Sequence, residues 1–146
     1  MRMPDQIIHV PLGHLNISPA LFRRHARQYL ACHRAFKPDT PSSPVPYFLL
    51  CRSIELSLKA KHLESLSRKQ VKKEYGHNLA KLYYDLQPGE LMLEAAELQT
   101  LNTASAIYDI PNKGFEYVSV YDAVTGLDAF PELSILENIA VKALAE

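Results

Sequence analysis

Apolar residues recur at three- and four-residue steps along most of this chain, with proline or glycine between the periodic stretches. That pattern predicts helices joined by short loops. Leu21, Phe22, His25, Tyr29, Cys32, His33 and Phe36 make the first stripe. Ser18 and Pro19 open it: a hydroxyl suited to an N-cap, then a residue whose missing N–H costs nothing at the first helical position. The first helix is therefore expected over about 19–36. Four prolines within residues 38–46 exclude a helix there. Tyr47, Leu50, Cys51, Ile54 and Leu58 then form the inward stripe of a second helix, expected over 47–65, with Glu55 and Lys59 as an i, i+4 ion pair on a different face.

Ser67-Arg68-Lys69-Gln70 has the spacing of a capping box, which predicts a short helix of about two turns closed by Gly76. The next helix begins near His77 or Asn78, carries Leu79, Leu82, Tyr83 and Leu86, and stops at Pro88-Gly89. A longer one follows over 90–108 with Leu91, Ala95, Leu98, Leu101 and Ala104 inward, and a last one runs over 131–144. Pro111 to Gly114 reads as a turn, and Phe115 to Tyr121 alternates in a β-prone manner. Residues 1–17 show no helical period and are expected as an extended arm. The fold class this implies is all-α: one domain over 1–146, an up-and-down bundle of four to five helices.

A chain of 146 residues is of ordinary single-domain size, and its 47% hydrophobic and 22% charged content is ordinary globular composition. No apolar run nears the roughly 18 residues that span a bilayer, and residues 1–10 lack a signal-peptide core, so a cytoplasmic location is expected. Cys32 and Cys51 both fall in apolar helical patterns and read as buried thiols. The formal net charge of zero conceals a division. Residues 1–81 carry fourteen of the sixteen Lys and Arg against five acids, net +9, and residues 82–146 carry two cations against eleven acids, net −9. Such asymmetry fits either a phosphate-binding face or mutual neutralisation of the halves across a bundle or dimer.

Gly-rich phosphate loops, Cys-x-x-Cys, His-Glu-x-x-His and Gly-x-Ser-x-Gly are all absent, and no histidine pair has metal spacing, so neither metal nor cofactor is expected. His25 and His33 read as core or boundary residues. The stretch Lys72-Lys73-Glu74-Tyr75-Gly76-His77-Asn78 stands apart, because it sets two cations, a glycine break and an imidazole at a helix start. Free N–H groups at a helix N-terminus favour phosphate, a neutral imidazole serves as general acid or base, and lysines stabilise a phosphorane-like transition state. The plainer alternative is that His77 only hydrogen-bonds within its own turn.

Ile54-Glu55-Leu56-Ser57-Leu58-Lys59-Ala60, about 20 residues ahead of Gly76-His77-Asn78-Leu79, resembles the HEPN domains (higher eukaryotes and prokaryotes nucleotide-binding). Leu101-Asn102, Tyr108 and Phe115-Glu116-Tyr117-Val118 look like that family's next helix and aromatic turn, and Pro131 to Leu144 like its last helix, so the likeness covers residues 45–145. The resemblance implies a homodimeric helical domain that binds nucleotide or RNA and acts either as a weak or degenerate metal-independent ribonuclease or only as a binding partner, of an antitoxin or a nucleotidyltransferase. On that basis His77, Lys72 and Lys73 are the candidate catalytic residues, and Asn78, Arg68, Lys69, Glu55 and Lys59 the candidate nucleotide-binding ones. Two departures bear on cleavage rather than on binding. The family's Arg stands four to six residues before its His, whereas Arg68 is separated from His77 by eight residues and the correctly spaced position holds Lys72. Asn78 occupies the place where the family often has Asp. The reading from another class is a non-catalytic docking or dimerisation module whose acidic second half faces a partner, with residues 1–45 as an addition that closes the site or mediates pairing.

Overall fold

The structure, a computed structural model, describes residues 16–40, 43–109 and 130–145. Most of the extended arm, the turn at 111–114 and the β-prone stretch 115–121 lie outside those residues. Within them the chain forms six helices: α1 (Ser18–Ala35), α2 (Val45–His62), α3 (Arg68–Tyr75), α4 (Leu79–Tyr84), α5 (Ala95–Tyr108) and α6 (Leu133–Leu144). No strand occurs among the described residues, and the protein is an all-α bundle. The count exceeds four to five because it includes two short helices, α3 of eight residues and α4 of six.

Helix α2 is the axis of the bundle. Leu50, Cys51, Ile54 and Leu58 are fully buried, as their spacing predicts. Burial does not stop at that stripe, because every residue from Ser53 to Ala60 is buried. A helix surrounded on all sides must satisfy its polar side chains internally. Ser53 Oγ donates to the Ala26 carbonyl at 2.8 Å, and Ser57 Oγ donates to the Ser53 carbonyl at 2.8 Å. Ala26 and Ser53 are both small and fully buried, which lets α1 lie close along α2.

The other helices close around this axis through one continuous hydrophobic cluster that includes Leu30, Leu63, Val71, Tyr75, Leu79, Leu82, Leu101, Leu136 and Ile139. Each fully buried Leu or Ile contributes roughly 1.5–3 kcal/mol relative to exposure. Helix α6 packs on α2 and α5, and Lys142 Nζ donates to Glu97 Oε1 at 2.6 Å to fasten α6 to the first turn of α5. His62, which carries no signal in the sequence, is buried. Its Nε2–H donates to the Leu82 carbonyl at 2.8 Å and its ring lies 4.6 Å from that of Tyr75.

The local punctuation follows its chemistry. Ser67 Oγ accepts from Gln70 N, and Ser67 N donates to Gln70 Oε1, which completes the capping box of α3. Gly76 ends that helix at φ +53°, a conformation that L side chains rarely adopt.

Four expectations are corrected. The buried face of α1 is Pro19, Ala26 and Leu30, flanked by half-buried Phe22, Tyr29 and His33, while Leu21, His25, Cys32 and Phe36 are exposed. The face is rotated because Ala26, small enough to meet Ser53, sets the contact line. Cys32 is consequently not a buried thiol, although Cys51 is. The helix expected from residue 90 starts at Ala95, because Glu94 N donates to Glu97 Oε1 at 2.9 Å in an N-terminal cap of its own; Ala95 is exposed. Helix α4 stops at Tyr84, one turn before Pro88.

Candidate functional site

The inner face of α2 that carries Arg52, Glu55 and Lys59 runs at i, i+3 and i+7, so all three side chains share one stripe. Glu55 is the centre, fully buried at 0% exposure. A bare carboxylate there would be costly, and four donors converge on it. Lys59 Nζ at 2.7 Å and an Arg52 guanidinium nitrogen at 3.1 Å donate to Oε2. Tyr108 Oη–H at 2.7 Å and His77 Nδ1–H at 3.0 Å donate to Oε1. The donors come from α2, from the end of α5 and from the turn between α3 and α4, so one carboxylate joins three segments.

Burial pushes the Glu55 carboxyl upward, but the Lys59 ammonium, with the Tyr108 and His77 hydrogen bonds, outweighs it and holds the group below the usual carboxylate range. Glu55 is therefore ionised. Burial, and then the adjacent Glu55 charge, raises the Tyr108 hydroxyl well above the ordinary tyrosine value, so it stays a neutral donor. For Arg52, burial acts downward and is overcome by Glu55, which keeps the guanidinium firmly cationic. Its charge also sits over the Tyr29 ring at 5.9 Å.

An ionised carboxylate only accepts, so the proton on the near side of His77 resides on Nδ1. That fixes the tautomer and leaves Nε2 with a free lone pair in the neutral ring. The His77 side chain is 61% exposed, and its ring meets the Tyr108 ring edge-on at 5.8 Å. The result is a carboxylate–imidazole pair with a buried acid and an accessible base, the arrangement that general acid–base chemistry uses.

This pair lies on the rim of a cleft of about 650 Å³ between α1, α2 and α3. Phe22, Leu56, Leu63 and Val71 give it apolar lining, and Arg52, Lys59, Arg68, Lys69 and Lys72 give it five cations against the single charge of Glu55. Arg52 and Lys59 are already paired with Glu55. Arg68, Lys69 and Lys72 are exposed on α3 and have no ion-pair partner among the described residues. The surplus positive charge available to a ligand thus comes mainly from α3.

The predicted residues divide accordingly. His77, Lys72, Arg68, Lys69, Glu55 and Lys59 are brought together in the cleft, with Glu55 reaching a ligand only through its partners. Lys73 falls outside the lining. Asn78 is an N-cap: its Oδ1 accepts from Lys81 N at 3.0 Å and from Ser105 Oγ at 3.4 Å. Several N–H groups around this helix start are engaged within the protein. The amide of Ala80 donates to Ser105 Oγ, that of Lys81 to Asn78, and that of Asn78 to the Tyr75 carbonyl.

Two site residues escaped the sequence reading. Arg52 stands 25 positions before His77, yet both contact the same carboxylate. Tyr108 was visible only as an aromatic near a turn. The i, i+3 relation of Arg52 to Glu55 was the one available signal for the first, and nothing local signals the second.

Among the described residues no group of three or more His, Cys, Asp or Glu could hold a metal ion, and no helix is long and apolar enough to cross a membrane. Comparison with protein-family models, with curated proteins and with solved structures returns no match.

Proposed function

We propose that this chain is a HEPN-like, homodimeric helical domain that binds nucleotide or RNA in the cationic cleft and cleaves RNA without a metal through His77. The observation that carries the reading is the Glu55–His77 pair on the rim of the cleft: a buried carboxylate holds Nδ1, and the same cleft is lined by Arg68, Lys69 and Lys72, which have no ion-pair partner among the described residues. In the cleavage step Nε2 takes the proton of a ribose 2′-hydroxyl. The 2′-oxygen bonds to the adjacent phosphorus, the P–O5′ bond breaks, and the departing oxygen takes a proton from the His77 imidazolium of the second copy. Arg52, Lys59 and Lys72 stabilise the charge that develops on the phosphoryl oxygens. Lys72 supplies charge without the bidentate fork of arginine, a role that Arg52 fills.

The test is cleavage of a single-stranded RNA by the wild type and by His77→Ala, with RNA binding followed against salt. The reading expects His77-dependent cleavage and an affinity that falls steeply with salt. Equal cleavage by both proteins, or none by either, removes the catalytic part. Absence of binding at about 50 mM salt removes the nucleic-acid part as well. The docking-module reading, with an antitoxin or nucleotidyltransferase as partner, draws on the same Glu55 network as a purely structural tie between α2 and α5, and it expects that absence.

A further inference from the structure

The stripe on α2 that carries Arg52, Glu55 and Lys59 begins one turn earlier, at Phe48. Positions 48, 52, 55 and 59 follow i, i+4, i+7 and i+11, the repeat of one helix face. Phe48 is 41% exposed. An isolated exposed aromatic needs no explanation, but this one is not isolated. Its ring lies 6.3 Å from that of Tyr108, which lies 5.8 Å from that of His77. Tyr108 cannot turn away, because its hydroxyl is bound to Glu55 at 2.7 Å. The row therefore runs from an exposed ring, through an anchored one, to the imidazole.

Charge is distributed in the opposite sense along the same line. Beyond His77 stand Lys59 and the cationic wall of α3, which suit phosphates. At the Phe48 end the exposed group is the ring itself, with the Tyr108 ring beside it. A strand whose phosphate sits at His77 brings its neighbouring base to that end. Stacking of bases on aromatic side chains is the common way of holding an unpaired nucleotide.

Resting on the RNA-binding reading above, we infer that Phe48 is a base-stacking subsite, which receives the nucleobase next to the phosphate held at His77. Phe48 is a binding residue and takes no part in proton transfer. The subsite admits unpaired bases and is tolerant of base identity, because every base presents a π-face.

The experiment measures binding and cleavage of a short fluorescent oligoribonucleotide, intact or with a single tetrahydrofuran abasic residue placed at each position in turn. The proteins are wild type, Phe48→Ala, Phe48→Leu and Phe48→Tyr. Phe48→Ala and Phe48→Leu are expected to weaken binding of the intact strand about tenfold or more, and Phe48→Tyr to restore it. One abasic position reproduces that loss in wild type and has no further effect in Phe48→Ala. If RNA binds and is cleaved in a His77-dependent manner but Phe48→Ala matches wild type, the subsite is wrong and the RNA reading stands. If Phe48→Leu keeps full affinity, the contact is apolar packing and stacking is refuted. If wild type binds no RNA, both readings fall together.

Discussion

Replacement of Glu55 by Gln keeps the shape of the side chain and removes its charge, which makes it the sharpest probe of the buried network. The Glu55 side chain is 1% exposed, Lys59 10% and Arg52 31%. The substitution leaves an ammonium with almost no access to water and a guanidinium with partial access. Breaking a buried pair by removal of one partner costs about 3–5 kcal/mol. Arg52 can turn toward solvent, which moderates the loss, but the amide has one acceptor oxygen, whereas the carboxylate has two that accept from its four donors. A loss of about 3 kcal/mol at pH 7 is expected. With a urea slope of about 1–3 kcal/mol/M for a small domain, the unfolding midpoint falls by at least about 1 M. The pH dependence gives an independent reading. The folded carboxyl lies below its ordinary value of 4.5, so its contribution is present in full above that pH and is lost as pH falls through the lower, folded value. Glu55→Gln has no such loss, and its stability is flatter than that of wild type in the acid limb. Urea unfolding followed by circular dichroism from pH 7 down to pH 3 measures both. A loss under about 1 kcal/mol, or parallel acid limbs in the two proteins, would refute the buried-carboxylate account.

Tyr108→Phe removes one donor to Glu55 and is expected to cost about 1.5–3 kcal/mol in the same unfolding assay. Because burial and Glu55 raise the Tyr108 hydroxyl, wild type also loses stability as pH climbs above 10.0, and Tyr108→Phe is spared that component. Asn78→Ala deletes the cap of α4 and the acceptor facing Ser105, a loss of about 1 kcal/mol by thermal or urea unfolding. His77→Ala, at a largely exposed side chain, is expected to change stability far less than Glu55→Gln does; a comparable loss would make the imidazole a structural group. On the proposed function, Lys72→Ala lowers the slope of log affinity against log salt by about 1, read by RNA titration over a salt series.

Helical chemistry that depends on near neighbours was legible along the chain. The Ser67–Gln70 capping box, the stop at Gly76, the stripe of Leu50, Cys51, Ile54 and Leu58, and the Glu55–Lys59 pair all stand where spacing predicts them. What spacing could not supply is the environment of each face. Glu55 and Lys59 read as lying on a face other than the inward stripe, yet they are buried because α1, α4, α5 and α6 surround α2. The rotation of α1 was hidden for a similar reason: Ala26 carries little hydrophobic signal, and its importance lies in fitting against Ser53. At the site, His77 stood out from its local context, whereas its orientation depends on a residue 22 positions away and the Tyr108 contact spans 53. Pairings at such separations leave no trace in periodicity.

Helix α3 has a consequence for the time the cleft spends open. It is eight residues long, below the roughly 12–15 at which an isolated helix holds together in water, and Val71 and Tyr75 are its only buried side chains. Three of its six other residues, Arg68, Lys69 and Lys72, are the cleft cations that have no ion-pair partner among the described residues. The wall that attracts an anion is therefore also a segment suited to local opening at a free energy well below that of global unfolding. An anion that bridges α3 to α2 favours the closed form by mass action. Amide exchange in Val71 to Tyr75 then slows upon ligand addition while exchange in the centre of α2 stays limited by global unfolding, so that occupancy of the site can be read from the protection of a single short helix.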